Sequence, residues 1–347
     1  MNKPAGKTAK KSAKKTVKKS VKKTAKKTIK KTVKKTAKSS ATGMAKAAQV
    51  SDDSALARLR DRLRNSPSYK SAADNDPAFL AHPLTRGVRL QLDYYKPEVI
   101  LRENRIGGGI VVFGSARTLD PAAAKRRLAA ARAALAKKPR DAALRAEVTR
   151  LKGLATHGKY YEMAREFGRI VSRDGSKRTG PRLAIITGGG PGIMEAANRG
   201  AYDVNAPTVG FNIALPHEQL PNPYITPELC FDFHYFAIRK LHFVMRARAL
   251  VAFPGGLGTL DELFEILTLV QTRKTRERPV VLVGKAFWNR VFNLDALVEE
   301  GMIDPRDKEL FHFVESARDA WDYILEWYAK RGRPLLENPE DASRVPA

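Results

Sequence analysis

Residues 183–195 read LAIITGGGPGIME, and this stretch decides the fold. Five residues, mostly apolar and β-branched, run into a glycine-rich turn, after which Ile193-Met194-Glu195 opens a helical period. A run of that length bounded by glycine suits a strand buried on both faces, with the turn leading into a helix. The same grammar recurs on either side. IVVF (110–113) is followed by Gly114-Ser115-Ala116-Arg117, and ALVAFP (249–254) by Gly255-Gly256-Leu257-Gly258-Thr259-Leu260-Asp261-Glu262. TVGFNI (208–213) and PVVLV (279–283) complete five candidate strands with helical periods between them. Strands alternating with helices predict an α/β fold, a Rossmann-like doubly wound parallel sheet with helices on both faces.

Outside this region the chain changes character. Of the net charge of +28 on 347 residues, 18 lysines fall in the first fifty positions, which hold no arginine and no acidic residue. From Lys10 to Ala37 run seven unbroken copies of Lys-Lys-Ser/Thr-apolar. A four-residue period winds slowly round a helix instead of forming a stripe, and one charge sign builds no core, so a disordered tail is expected over 1–50. Paired lysines without an aromatic or an arginine can neutralise phosphates but not read sequence, so residues 1–40 are expected to bind nucleic acid non-specifically. The tail resembles those of bacterial histone H1-like proteins. A plain solubility tail, and attachment to an anionic lipid surface, remain alternatives.

Residues 51–105 read as a helical leader interrupted at Pro67, Pro77, Pro83 and Pro97, and 106–330 as the Rossmann-like domain, with 331–347 as a C-terminal extension. A helical insertion at 121–157, broken at Pro139-Arg140-Asp141, predicts helices over 122–137 and 141–154. It follows the first strand, where connections are normally short, so it stands beside the strand-end site or serves as an arm for oligomerisation. The single cysteine, Cys230, excludes a disulfide framework and suits a reducing cytoplasm, with nucleoid association through the tail. No apolar run is long enough for a membrane span, no secretory h-region follows the basic N-terminus, and no His/Asp/Glu spacing suits a metal.

Three strand–glycine–helix turns on one sheet can each aim backbone N–H groups at an anion. Gly189 and Gly190 lie in one of them, Gly255, Gly256, Gly258 and Thr259 in another. Neither the Walker pattern nor GxGxxG is present, which points to a mononucleotide rather than NAD or a nucleoside triphosphate.

PGGLGTLDE at 254–262 with GGGPGIMEAANRGA at 188–201 resembles the Lonely Guy family of cytokinin riboside 5'-monophosphate phosphoribohydrolases, AMP-nucleosidase-like proteins long labelled lysine decarboxylases. The likeness runs from about Gly108 to Ile324, with the tail, leader and insertion outside it. It implies hydrolysis of a nucleoside 5'-monophosphate (AMP or N6-substituted AMP) to free base and ribose 5-phosphate, without a cofactor, by a homodimer or larger homo-oligomer. It further implies Arg239 and Glu262 as catalytic residues, and Ser115, Glu218, Lys240 and Thr268 beside the glycines as substrate contacts. A pyridoxal-dependent decarboxylase would need a Schiff-base lysine, and Lys240 is the one lysine near the turns.

Thr259-x-x-Glu262 is also a capping box, in which Glu262 merely serves a backbone N–H. Either role places the carboxylate in a helix's first turn, where the anion is favoured. Other candidates have simpler readings. His234 and His242 sit in the aromatic segment FDFHYFAIRKLHF and suit packing. Glu195 suits its own helix dipole, Asp232 and Tyr235 have no assigned role, and Phe236, Met194 and Phe243 suit either base contact or core. A non-catalytic nucleotide-binding module tethered to nucleic acid is the competing function, and a nucleoid structural protein a third.

Overall fold

The computed structural model describes residues 53–176, 180–213 and 220–336. The lysine-rich tail, Glu218 and all but the start of the C-terminal extension therefore lie outside the described residues. The chain divides into two compact units after His82. In the first, helices span Asp53–Arg64, Pro67–Lys70 and Pro77–Ala81, the last capped by the Asp76 carboxylate, which accepts from the Phe79 N–H.

The second unit opens with α1 (Arg86–Glu103) and β1 (Ile106–Phe113). An α-hairpin follows, α2 (Pro121–Lys137) and α3 (Ala142–Thr156), and then α4 (Gly158–Ser176), β2 (Arg182–Thr187), α5 (Ile193–Tyr202), β3 (Thr208–Ile213) and β4 (Cys230–Phe233). Next come α6 (Phe236–Arg246), β5 (Ala247–Ala252), α7 (Leu257–Gln271), β6 (Val280–Val283), α8 (Lys285–Val291), α9 (Leu294–Glu299), β7 (His312–Val314) and α10 (Ala317–Lys330). The described strands form one parallel sheet in the order β4-β3-β2-β1-β5-β6-β7.

The alternation of side chains across each strand explains the two cores. Ile110, Val112, Ile185 and Val251 face α4, α5 and α10, where Phe167, Ala197 and Trp321 are buried. Val111, Phe113, Ile186 and Leu250 face α1, α6, α7 and α8, where Leu101, Phe243, Leu263 and Trp288 are buried. The sheet is doubly wound, as the sequence predicts. From β1 the chain builds outward to β4; α6 then carries it back to β5, beside β1 on the other side. The strand order thus reverses between β1 and β5, which opens a crevice at their carboxyl ends.

Two features differ from expectation. The leader does not end as a unit at residue 105: α1 runs through Pro97, which is itself buried, and places Leu101 in the core, so the second unit begins at Pro83. Two strands, β4 and β7, were not anticipated. They are four and three residues long at the sheet's two edges, too short to show a period. The insertion is the expected helical pair within two residues at each end.

Candidate active site

The crevice is closed by backbone hydrogen bonds among the three glycine turns. Ser115 is their hub: its N–H donates to the Pro254 carbonyl at 3.1 Å and its carbonyl accepts from the Ile193 N–H at 3.1 Å. Its hydroxyl accepts from the Arg117 N–H at 3.1 Å. Gly189 and Gly192 both adopt positive φ (75° and 74°), and a Cβ would fall 1.9 Å from Asn212 Oδ1 at the first and 2.3 Å from the Ser115 carbonyl at the second. These turns therefore require glycine both sterically and conformationally.

Behind the 188–192 turn lies a buried polar network that sequence reasoning missed. The Asn222 side-chain amide donates to the Gly189 and Gly190 carbonyls, both at 3.1 Å, and to Asn198 Oδ1 at 2.9 Å. The Thr187 hydroxyl donates to the same oxygen at 2.7 Å and accepts from the Gly189 N–H at 3.0 Å. Asn198 and Asn222 stand 24 residues apart in loop and helix contexts, so no local pattern marks them.

The third turn is built differently. A Cβ on Gly255 would lie 2.1 Å from Thr259 Oγ1, so there the glycine serves packing, whereas at Gly256 and Gly258 it would meet nothing within 4 Å. Packing does not explain glycine at those two positions, where the surface at the start of α7 is open. Gly258→Ala should accordingly leave the melting temperature unchanged or raised, since alanine is the better helix residue, while raising KM at least tenfold. An unchanged KM in nucleotide kinetics would remove Gly258 from the binding surface.

The helix begin also corrects the Glu262 reading. α7 starts at Leu257 with Gly256 as its cap, and no side chain caps it, so there is no Thr259–Glu262 capping box. Glu262 lies in the second turn, 7% exposed. Burial pushes its carboxyl up, against the pull of Lys240 and Arg239, to about 7. The expected first-turn stabilisation of the anion is thus absent, and the group titrates near neutrality.

Both cations come from α6, which starts at the carboxyl end of the sheet. Arg239 Nε donates to the Phe211 carbonyl at 2.7 Å and a terminal nitrogen to that of Gly188 at 3.4 Å, with the guanidinium against the rings of Phe243 and Phe236. Arg239 thus ties the ends of β2 and β3 to the crevice. Lys240 Nζ pairs with Asp261, the residue before Glu262 on α7, at 2.9 Å and with Glu265, about one turn after it, at 3.1 Å. Burial pulls its pKa down, but those carboxylates and the Glu262 charge outweigh it and hold Lys240 above its ordinary value. A Schiff-base lysine needs the opposite shift.

The other candidates fall as follows. Thr268 is exposed, and its hydroxyl donates to the Phe264 carbonyl. It stands six residues beyond Glu262, about 9 Å along the helix and on another face, so the structure does not bring it to the crevice. His242 is fully buried among Tyr94, Phe211 and Phe233, and burial lowers its pKa, as a packing residue's would be. His234 and Tyr235 donate their N–H groups to Asp93 and so fix the entry to α6. Glu195 accepts from the Tyr161 hydroxyl at 2.7 Å, a tertiary contact beyond its own helix dipole. Among the described residues no group of three His, Cys, Asp or Glu could hold a metal ion, and no helix is long and apolar enough to cross a membrane. A cavity of about 460 Å³ lies at β7 and α10, but Glu315, Asp319, Asp322 and Glu326 line it, the wrong sign for a phosphate.

A family model described as "Possible lysine decarboxylase" matches residues 194–324, the span that holds Arg239, Lys240 and Glu262. A probable cytokinin riboside 5'-monophosphate phosphoribohydrolase of Oryza sativa subsp. japonica is 28% identical over 158 residues, 42% of this chain and 69% of its own. Over that span the chain is similar to the Lonely Guy enzymes. An Arabidopsis thaliana cytokinin riboside 5'-monophosphate phosphoribohydrolase is 28% identical over 180 residues, 50% of this chain and 78% of its own. Among solved structures, the Moco carrier protein of Chlamydomonas reinhardtii is 21% identical over 50% of this chain and 89% of its own, with a TM-score of 0.35.

Proposed function

We propose that the protein hydrolyses the N-glycosidic bond of a nucleoside 5'-monophosphate, AMP or an N6-substituted AMP, to free base and ribose 5-phosphate. One observation carries this reading: a buried carboxylate, Glu262, stands on the helix that the third glycine turn opens, with the charges of Arg239 and Lys240 acting on it, at the crevice where the three turns meet. In the reaction the bond from the anomeric carbon to the base breaks with its electron pair leaving on the base. Water supplies the new oxygen at that carbon, and its proton ends on the base. Positive charge develops on the ribose on the way.

The N–H groups at the start of α7 face the phosphate, with open space above Gly256 and Gly258 for its oxygens. As the anion, Glu262 stabilises the cationic sugar and takes a proton from water. Lys240 and Asp261 with Glu265 hold that carboxylate's surroundings, and Arg239 steadies the crevice wall. The names of the relatives support the substrate class.

The same proposal includes self-association, supported by Val88, Leu92, Tyr95 and Val99, which form an open apolar stripe at helical spacing on α1. The insertion serves this less well, because Ala124, Val148 and Leu151 are buried between its own helices and against α4. Non-specific nucleic-acid binding by residues 1–40 belongs to the proposal on composition alone.

The test is a panel of nucleoside monophosphates and nucleosides with detection of free base. AMP should exceed adenosine by about 10³-fold or more in kcat/KM, because binding at the phosphate positions the anomeric carbon. Equal rates would remove the phosphate seat, and tight nucleotide binding without release of base would favour the non-catalytic module.

A further inference from the structure

The insertion carries charge in an arrangement its hairpin architecture does not need. Ten lysines and arginines lie between Pro121 and His157 against two acidic residues, Asp141 and Glu147. Asp141 is spent as the N-cap of α3, accepting from Ala143 and Leu144. The inward stripes, Ala124, Leu128 and Leu135 on α2 and Leu144, Val148 and Leu151 on α3, fix which way the remaining residues point. At 100° per residue, Lys125 and Arg132 of α2 and Arg145 and Lys152 of α3 fall on the same side of the antiparallel pair.

The opposite side is different. There Glu147 takes a bidentate pair of bonds from Arg150 at 2.7 and 2.6 Å, and the Arg127 charge also acts on it. One side of the hairpin therefore holds a carboxylate among its cations and the other holds none. All four residues of the side without a carboxylate are exposed, and none has an acidic partner among the described residues; Arg145 merely donates to the Arg140 carbonyl. Between them the surface is small and flat, made of Ala129, Ala136, Thr149 and Thr156. The i, i+7 pairs stand about 10.5 Å apart along each helix, and packed helices lie about 8–10 Å apart, so the four cations sit near the corners of a square.

We propose that this side of the α2–α3 hairpin is a docking surface for the phosphate backbone of duplex nucleic acid. A rigid grid of point charges matches phosphates held at fixed spacing by a double helix. With no aromatic side chain on the surface there is nothing for an unpaired base to stack on. Contacts of this kind position without reading sequence. The surface belongs to the folded second unit and is distinct from the lysine repeat at 10–37.

The experiment compares three full-length proteins in titrations of labelled random-sequence duplex at several salt concentrations. These are the wild type, Lys125→Gln/Arg132→Gln/Arg145→Gln/Lys152→Gln, and a control with the same net charge, Lys274→Gln/Arg290→Gln/Arg318→Gln/Arg333→Gln. Each phosphate contact adds about 0.9 to the slope of log affinity against log salt. The hairpin variant should lose about 2 to 4 from that slope and bind at least tenfold more weakly at 0.1 M salt, with the control close to wild type. Equal losses in the two variants would show that only net charge counts, and no loss in either that the surface is idle; both overturn the proposal. A hairpin variant that keeps duplex binding but loses phosphatidylserine vesicles overturns it in favour of a membrane. Should circular dichroism show that the quadruple variant misfolds, Lys125→Gln/Lys152→Gln should lose about half as much slope, and an unchanged slope there is equally decisive.

Discussion

Glu262→Gln should lower hydrolysis by about 10² to 10⁴-fold and at the same time stabilise the folded chain above pH 7. The two effects have one cause. Burial raises the Glu262 carboxyl from 4.5 to about 7 against the pull of two cations, so the folded state binds a proton more tightly than the unfolded state does. Between those two values the folded chain holds more protons than the unfolded one, and stability therefore falls as pH rises through that window. Below it both states are protonated and nothing is lost; above it the whole penalty of burying the anion is present, on the order of 3 kcal/mol. Glutamine resembles the protonated acid, so the variant should match wild type near pH 4 and melt several degrees higher at pH 8. In wild type, kcat/KM should climb as pH crosses about 7 and the carboxylate forms. Calorimetry at the two pH values with a pH–rate profile checks all three, and full activity in a folded Glu262→Gln protein would end its catalytic role.

That behaviour was not legible at Glu262's own position in the sequence. Thr259-x-x-Glu262 has the spacing of a capping box, and only the start of α7 two residues before Thr259, on the Gly256 cap, shows that it is not one. The ionisation then follows from burial between α6 and the sheet, which no local spacing encodes. By contrast the central strands were legible, because β1, β2, β3, β5 and β6 are buried on both faces and so appear as unbroken apolar runs. At the edges that signal fades: Cys230–Phe233 alternates with exposed positions and His312–Val314 is only three residues long. Lys240 could be noticed from sequence as a cation beside the site. That it would be held by Asp261 and Glu265 depended on α6 and α7 lying side by side.

Asn198→Leu should destabilise the second unit by about 3 to 5 kcal/mol and impair nucleotide binding, although Asn198 belongs to none of the glycine turns. Its side chain is fully buried. Oδ1 accepts from the Thr187 hydroxyl and the Asn222 amide, and Nδ2 donates to the Thr208 hydroxyl, so one residue joins β2, β3 and the 220–224 segment. Leucine keeps the branched skeleton and is somewhat bulkier, so no cavity forms and the loss is one of hydrogen bonding with some crowding. Three buried hydrogen bonds go with Asn198, each worth about 1 kcal/mol or somewhat more, and the Thr187 hydroxyl proton is left without its acceptor, although Thr187, Thr208 and Asn222 each keep another bond. Thr187 and Asn222 are also the two side chains that bond the Gly189 N–H and the Gly189 and Gly190 carbonyls. With their common anchor gone, the positive-φ turn at Gly189 loses its support, and KM should rise well before kcat falls, since Arg239 and Glu262 stand on other elements. Thermal melts and steady-state kinetics on the variant test both halves. A melting temperature within a degree of wild type would show that water replaces Asn198, and that the network does not hold the turn.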